Sequence, residues 1–395
     1  MDSSTVVGVI GAGTMGSGIA QVAAQAGHVT YLYDTRPGAA ESALASLSKT
    51  FDKLVEKGKF TKEEAASVLA RIKPANDLKQ LASCGLVIEA IVEDLAIKKK
   101  LFADLEAIVG PYAILATNTS SLSVTAIAAA CTKPGRVIGL HFFNPAPLLP
   151  LIEVVPGLAS DAQLANRCTK LMAAWGKTPV ICKDTPGFIV NRVARPFYGE
   201  AIRIYEEGLA DMPTIDRAMK EIGGFKMGPF ELMDLIGNDV NFTVTKTVWE
   251  NFFYDPRYKP SFTQQRMVEA GWLGRKTGCG YYTYEQGQVQ ERPAASGERQ
   301  VDIEQLLNDI CSRILVMLIN EAADALHFGI ATRDDIDLAM TKGVSYPKGL
   351  LKWADDLGIA NCLGKLESLQ AEFGEDRYRP SPLLRKMARS GATFH

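Results

Sequence analysis

Val6-Val-Gly-Val-Ile10-Gly11-Ala12-Gly13-Thr14-Met15-Gly16-Ser17-Gly18 is the stretch whose reading decides the fold. An unbroken apolar run of five residues ends in G-x-G-x-x-G, and a helical pattern starts at once. Each glycine answers a separate need: Gly11 the tight turn, Gly13 close approach of a pyrophosphate, Gly16 close packing of helix on strand. A helix that begins there points unpaired N–H groups and a partial positive charge at the phosphates, with Ala12, Thr14 and Met15 on the same loop. A second apolar run, 29–33, ends in Asp34, 18 residues after Gly16. A carboxylate at that place accepts hydrogen bonds from ribose hydroxyls and repels a 2′-phosphate, so NAD is expected rather than NADP. Arg36 argues the other way, but Asp34 holds the strand-end position itself.

Outward from this motif, short apolar runs alternate with helical patterns. Strands are expected at 6–10, 29–33, 85–89, 113–116, 137–140, 152–155 and 179–182, and helices at 97–109 and 161–175 among others. Most of the runs are continuous rather than alternating, as strands buried on both faces are. This predicts an α/β Rossmann-type doubly wound, largely parallel sheet over residues 1–183. After Asp184-Thr-Pro-Gly the pattern turns helical, giving a first helical domain at 184–285. Residues 286–300, rich in Gln, Glu, Pro and Ser, read as a linker. A second all-α helical domain follows at 301–395.

The second helical stretch repeats the first. At an offset of 121, without gaps, Arg192 matches Arg313, Glu200-Ala201 matches Glu321-Ala322, Ile215-Asp216 matches Ile336-Asp337, and Gly228 matches Gly349. Asp234 and Gly237 recur as Asp355 and Gly358. With the offset reduced by one, Tyr258, Pro260 and Ser261 recur as Tyr378, Pro380 and Ser381.

Composition narrows the classes. Of the 395 residues 47% are hydrophobic and 22% charged, values for a soluble globular protein long enough for two or three domains. A formal charge of −2 gives no electrostatic case for nucleic acid or an anionic membrane. Seven scattered cysteines, odd in number and never C-x-x-C, disfavour a disulfide framework or a zinc site, and no metal is expected. With no signal peptide before Val6 and no run near the ~18 apolar residues of a membrane span, the expectation is a cytoplasmic protein.

Of four histidines, His141 stands apart. It ends the run 137–140 and opens His141-Phe-Phe-Asn144-Pro145, and in open parallel sheets ligands gather at the carboxyl ends of strands. Twelve residues on, Glu153 sits inside Leu151-Ile-Glu-Val-Val155, where a carboxylate needs a partner to offset desolvation. An imidazole would be one. On spacing alone a satisfied structural histidine is as good a reading, and the same holds for Glu153. Ser120, in Asn118-Thr-Ser-Ser-Leu122 after another strand, and Asn191, in Pro186-Gly-Phe-Ile-Val-Asn-Arg192, complete a candidate set. Taken singly, each is more often a capping or helix-surface residue than a ligand contact.

These motifs, with Gly274-Arg-Lys-Thr-Gly-Cys-Gly-Tyr-Tyr282, occur in an order that resembles the L-3-hydroxyacyl-CoA (3-hydroxybutyryl-CoA) dehydrogenases across residues 5–285. The resemblance implies NAD-dependent oxidation of a 3-hydroxyacyl-CoA. His141 would be the general base, Glu153 its support, and Ser120 and Asn191 donors to the reacting oxygen or thioester carbonyl. It places Asn144, Glu93, Lys98 and Lys276 near the cofactor, and Thr50 and Lys57 on a helical arm that receives CoA. The second copy carries Ser312 where the first has Asn191, stops before any Gly-Arg-Lys-Thr-Gly loop, and is expected to be structural. It would imitate a dimer partner, giving either a monomer with an internal pseudo-dimer or a homodimer. Two other readings stay open: a dehydrogenase of a free hydroxy acid, gulonate-type, and a catalytically silent NAD-binding scaffold. Acyl chain length, 3-hydroxybutyryl against 3-hydroxyadipyl, is undecided by the residues.

Overall fold

Eight strands form one sheet in the computed structural model, which describes residues 5–290 and 302–395. In chain order they are β1 (Val7–Ile10), β2 (Thr30–Tyr33), β3 (Ile72–Ala75), β4 (Leu86–Glu89), β5 (Ile114–Thr117), β6 (Val137–Phe142), β7 (Leu151–Pro156) and β8 (Thr178–Ile181). Their order across the sheet is β3-β2-β1-β4-β5-β6-β7-β8. Every neighbouring pair is parallel except β6 and β7, which run antiparallel. The chain thus winds one way from β1 to β3 and the other way from β4, leaving a switch point between β1 and β4 where ligands bind in such sheets.

Continuous apolar runs were the right signal, because helices cover both faces. Val9, Leu86, Ile88, Ile114 and Ala116 pack with the helix Thr14–Gln25 on one side. Val87, Leu115 and Val137 pack with the helix Leu95–Ile108 on the other. Two departures from expectation have physical causes. The strand β3 escaped notice because Ile-Lys-Pro-Ala is short and holds Pro74, which removes an N–H donor; at the sheet edge that loss is tolerated. And β6 runs two residues past Leu140, so His141 lies within a strand rather than in the loop beyond it.

The chain separates after Phe188 into two units, the second spanning Ile189–His395 and holding both helical copies. In that second unit the central helices Arg195–Glu206 and Ile303–His327 pack together. Their charges interlock crosswise. Glu321 of the second copy accepts from Arg192 (2.5 Å), Arg257 (3.2 Å) and Tyr258 (2.5 Å) of the first. Glu200 of the first copy is held by Arg313 (2.7 Å), Arg377 (3.4 Å) and Tyr378 of the second. Residue i meets j and j meets i, the signature of a two-fold arrangement. The local folds repeat too: Asp234 accepts from Tyr281 and Tyr282 N–H, and Asp355 from Phe394 and His395 N–H. Asp216 caps Phe230 and Glu231 as Asp337 caps Leu351 and Lys352.

The linker expected at 286–300 begins as strand: Gln288–Gln290 pairs with Thr283–Glu285. Residues 291–300 lie outside the described residues. Among those described, no helix is long and apolar enough to cross a membrane.

Candidate active site

The cofactor loop is built as its glycines require. Gly11 has φ +101°, and a Cβ there would lie 2.4 Å from the Ala90 carbonyl oxygen; one on Gly16 would lie 1.7 Å from the Gly11 oxygen. Gly13 faces open space. No side chain caps the helix that follows, so its first N–H groups remain for a ligand. Asp34 at the end of β2 accepts from Ala12 N–H at 2.8 Å, which ties the acidic residue to the glycine loop. The Arg36 guanidinium, 3.0 Å away, holds the Asp34 carboxyl well down, at about 2, so it is ionised at neutral pH. A cavity of about 650 Å³ opens here, walled by Gly11, Gly13, Asp34, Ala90, Ile91, Val92 and Ile97. Apolar walls, the Asp34 carboxylate at the end of β2 and a free helix end suit an adenosine diphosphate moiety, Arg36, Lys100 and Asp104 completing the lining, and the residues present fit NAD.

At the ends of β4 and β5 a polar network shapes the next loop. Glu89, fully buried, accepts from Lys98 (2.5 Å), Thr117 (2.8 Å) and Ile91 N–H (2.7 Å). Lys98 also reaches Glu93 at 3.2 Å. Glu93 in turn accepts from the Thr119 and Ser121 hydroxyls and from Ser120 N–H. Burial alone would raise the Glu93 carboxyl, but Lys98 and the Thr119 hydroxyl outweigh it and hold it below its usual value. Lys98 is only 1% exposed, so its direct work is to secure these two carboxylates. Glu93 moulds the Ser120 loop, and the Ser120 hydroxyl makes no hydrogen bond among the described residues. Asn118 accepts from Phe142 N–H at 2.8 Å and joins that loop to β6.

The antiparallel register of β6 and β7 sets His141 directly opposite Glu153. His141 Nδ1 lies 2.7 Å from Glu153 Oε2, with the imidazole 8% and the glutamate side chain 0% exposed. Phe143 and Phe188 stand against the ring, at centroid distances of 4.5 and 5.8 Å. A carboxylate acceptor fixes the proton on Nδ1 and leaves Nε2 with a lone pair, in apolar surroundings. This is the arrangement of a general base with an orienting acid. His28, by contrast, is consumed by structure, joining the Thr5 carbonyl to Trp175 Nε1.

Other expected residues are placed with less chemistry around them. Asn144 is exposed on the loop after β6. Thr50 lies on the helix Ala39–Glu56 and lines a groove of about 960 Å³ with Thr14, Ser42, Ser46 and Pro147. Lys57 is exposed at that helix's end, outside the groove lining. In the helical unit, Asn191 gives its carbonyl to Arg195 Nε (2.8 Å), and Lys276 pairs with Asp239 (2.6 Å). The sequence reading passed over Glu89, Thr117 and Thr119. An acid closing an apolar strand, as Glu89 closes β4, was the available signal.

Residues 6–185 match the NAD-binding domain of 3-hydroxyacyl-CoA dehydrogenases, and residues 187–284 and 310–393 both match the C-terminal domain of the same family. A 3-hydroxyadipyl-CoA dehydrogenase of Escherichia coli K12 is 40% identical over 97% of either chain. A probable 3-hydroxybutyryl-CoA dehydrogenase of Bacillus subtilis is 44% identical, over 70% of this chain and 96% of its own length. The crystal structure of a 3-hydroxybutyryl-CoA dehydrogenase from E. coli K12 superposes with a TM-score of 0.91 at 39% identity, covering 98% of this chain and 99% of that one. The chain belongs to the 3-hydroxyacyl-CoA dehydrogenase family, oxidoreductases that act on a CH–OH group with NAD.

Proposed function

We propose that the chain interconverts (S)-3-hydroxyacyl-CoA and 3-ketoacyl-CoA with His141 as general base. The observation that most supports this reading is the 2.7 Å His141–Glu153 contact at the carboxyl end of β6. When bound, NAD supplies the acceptor for the hydride that leaves C3. His141 Nε2 takes the C3 hydroxyl proton, and Glu153 steadies the imidazolium that results. Ser120 and Asn191 hydrogen-bond the reacting oxygen or the thioester carbonyl. Gly11, Ala12, Gly13, Thr14, Met15, Gly16, Asp34 and Asn144 hold the cofactor, with Lys276 contributing from the helical unit. Glu93, aided by Lys98, positions the Ser120 loop beside the cofactor. Thr50 and Lys57 meet the CoA moiety, a role favoured for Thr50 by the groove it lines.

The crosswise Glu200 and Glu321 pairs support a monomer whose second helical copy stands in for a dimer partner. Six of the seven cysteines are buried and none forms a disulfide, which agrees with a cytoplasmic setting. The test is NADH oxidation with acetoacetyl-CoA against free 3-oxo acids. Saturable turnover of the thioester is expected, with kcat/KM for the free acid lower by at least about 10²-fold, since the acid forgoes all binding through CoA. Equal rates would favour the free-acid reading and remove the role given to Thr50.

A further inference from the structure

The crosswise ion pairs of the helical unit are not fully symmetric. On one side Asp324 answers Arg257 across the two copies. By the repeat, Arg203 stands where Asp324 stands, and Arg377 where Arg257 stands. The mirrored place therefore brings an arginine to an arginine. Arg377 is paired already, with Glu375 at 2.5 Å, Glu200 at 3.4 Å and Glu207 at 3.6 Å. Arg203 has no carboxylate within ion-pair distance among the described residues, and its terminal nitrogens donate to the Gly199 and Lys259 carbonyls, both at 3.0 Å. Burial pulls its guanidinium below the usual value and the Arg377 charge adds to that fall, against the opposing pull of Glu200 and Glu375. A guanidinium held out of water beside a like charge is costly, and an anion arriving there would relieve it.

Both arginines line a cavity of about 660 Å³ inside this unit, together with Lys246, Lys259, Phe242 and Trp249. Lys259 has no carboxylate partner among the described residues, and Lys246 reaches only Glu250, at 3.8 Å. The Trp249 indole N–H is buried and makes no hydrogen bond among the described residues. Phe262, 77% exposed, adds a further ring to the lining. Of the acids present, Glu207 and Glu375 are spent on Arg313 and Arg377. Glu206 accepts from the Thr263 hydroxyl at 2.6 Å and keeps lone pairs for other hydroxyls. Cations for phosphates, rings for a base and an acid for ribose hydroxyls are what a nucleotide needs, and the volume is that of a small-molecule pocket. Three incompletely paired cations, Arg203, Lys246 and Lys259, match the roughly three negative charges of a diphosphate.

The repeat shows that this lining is not required by the fold. At the offset of 121, Arg203, Phe242, Lys246 and Trp249 become Asp324, Leu363, Glu367 and Gln370. Two cations turn into acids and two rings are lost. Arg192, Glu200 and Tyr258, which tie the copies together, recur as Arg313, Glu321 and Tyr378. One copy thus carries a cationic, aromatic set that its structural twin does without.

We infer that this cavity is a second nucleotide site, apart from the cofactor loop, that takes a nucleoside diphosphate with its phosphates at Arg203, Lys246 and Lys259 and its base against Trp249. Through Glu375 and Arg377 the second copy shares in building it. The inference stands independently of the role given to His141.

The experiment titrates ADP into the full-length chain by calorimetry, with the cofactor loop filled by saturating NADH. One ADP per chain is expected to bind, with inorganic phosphate and adenosine each at least about tenfold weaker, since each forgoes one half of the contacts. Arg203→Asp places by Arg377 the charge that Asp324 places by Arg257, so the fold should hold, and ADP should weaken by about 30-fold. Trp249→Gln should weaken it about fivefold. Lys246→Glu changes an exposed helical position and reports even if Arg203→Asp does not fold; a loss of about tenfold is expected. KM for NADH should stay at the wild-type value in all three. Absence of ADP binding beside NADH, or ADP affinities within twofold of wild type in Arg203→Asp and Lys246→Glu, would overturn the inference, the latter result seating ADP in the groove at Thr50 instead. Phosphate bound as tightly as ADP would overturn it too, because the rings would then contribute nothing.

Discussion

Two buried glutamates make opposite use of similar surroundings. Glu153 and Glu321 are both 0% exposed, and each meets a cationic or proton-bearing partner. Glu321 is ringed by Arg192, Arg257 and the Tyr258 hydroxyl, permanent donors that cannot be withdrawn. Burial pushes its carboxyl up, yet the two arginines win and hold it below the ordinary value. Glu153 faces an imidazole, the one side chain able to gain and lose a proton near neutrality. The first arrangement fixes two helical copies together; the second leaves a ring nitrogen able to do work. In the proposed reading, what distinguishes a structural from a chemical carboxylate here is the partner's ability to change charge, rather than burial.

The comparison predicts different kinds of damage. The largest effect is on turnover: His141→Ala should lower kcat by about 10²- to 10⁴-fold, and Glu153→Gln by about 10²-fold, with NADH affinity by fluorescence titration nearly unchanged. Unaltered turnover in either variant would break the distinction. Next is stability. Glu321→Ala strands Arg192 without a carboxylate, leaves Arg257 only Asp324, and should cost about 3–5 kcal/mol, read as a lower urea midpoint. Its counterpart Glu200→Ala should cost less, because Arg313 keeps Glu207 at 2.7 and 2.8 Å and Arg377 keeps Glu375 at 2.5 Å. Equal losses would show that these remaining carboxylates do not compensate.

The smallest effect concerns pH and a third carboxylate. Asp34 sits low, at about 2, because Arg36 hydrogen-bonds it, so its folded value is depressed relative to the unfolded chain. The stabilisation it gives is complete above about pH 4 and is lost as pH falls toward 2. NADH affinity between pH 5 and 8 should carry no titration from Asp34. Asp34→Asn should narrow the preference for NADH over NADPH, measured as a ratio of KM values, since the repulsion of a 2′-phosphate is removed.

The glycine loop, Asp34 and the sheet class were legible because each is local: a short run of residues meets its own steric or hydrogen-bonding demand. His141 and Glu153 were legible one by one, as a histidine at a strand end and an acid in an apolar run. Their opposition was not, since it depends on β6 and β7 running antiparallel in a sheet otherwise parallel, and apolar periodicity carries no register. Arg203 drew no notice in the sequence, where a charge among helical residues reads as solvent-facing. Nor did the sequence show the pairing of Lys98 with Glu89 and Glu93, which depends on how the ends of β4 and the following helix meet.

The duplication shows the same division. Matching residues at an offset of 121 established by themselves that two copies exist, because repetition is a property of the string. That Arg192 answers Glu321 while Arg313 answers Glu200 was decided only when the copies packed face to face. Chain order fixes what each residue can donate or accept. Which charge it meets is set by surfaces brought together from more than a hundred positions away, where the cost of burying an unpaired ion selects the partner.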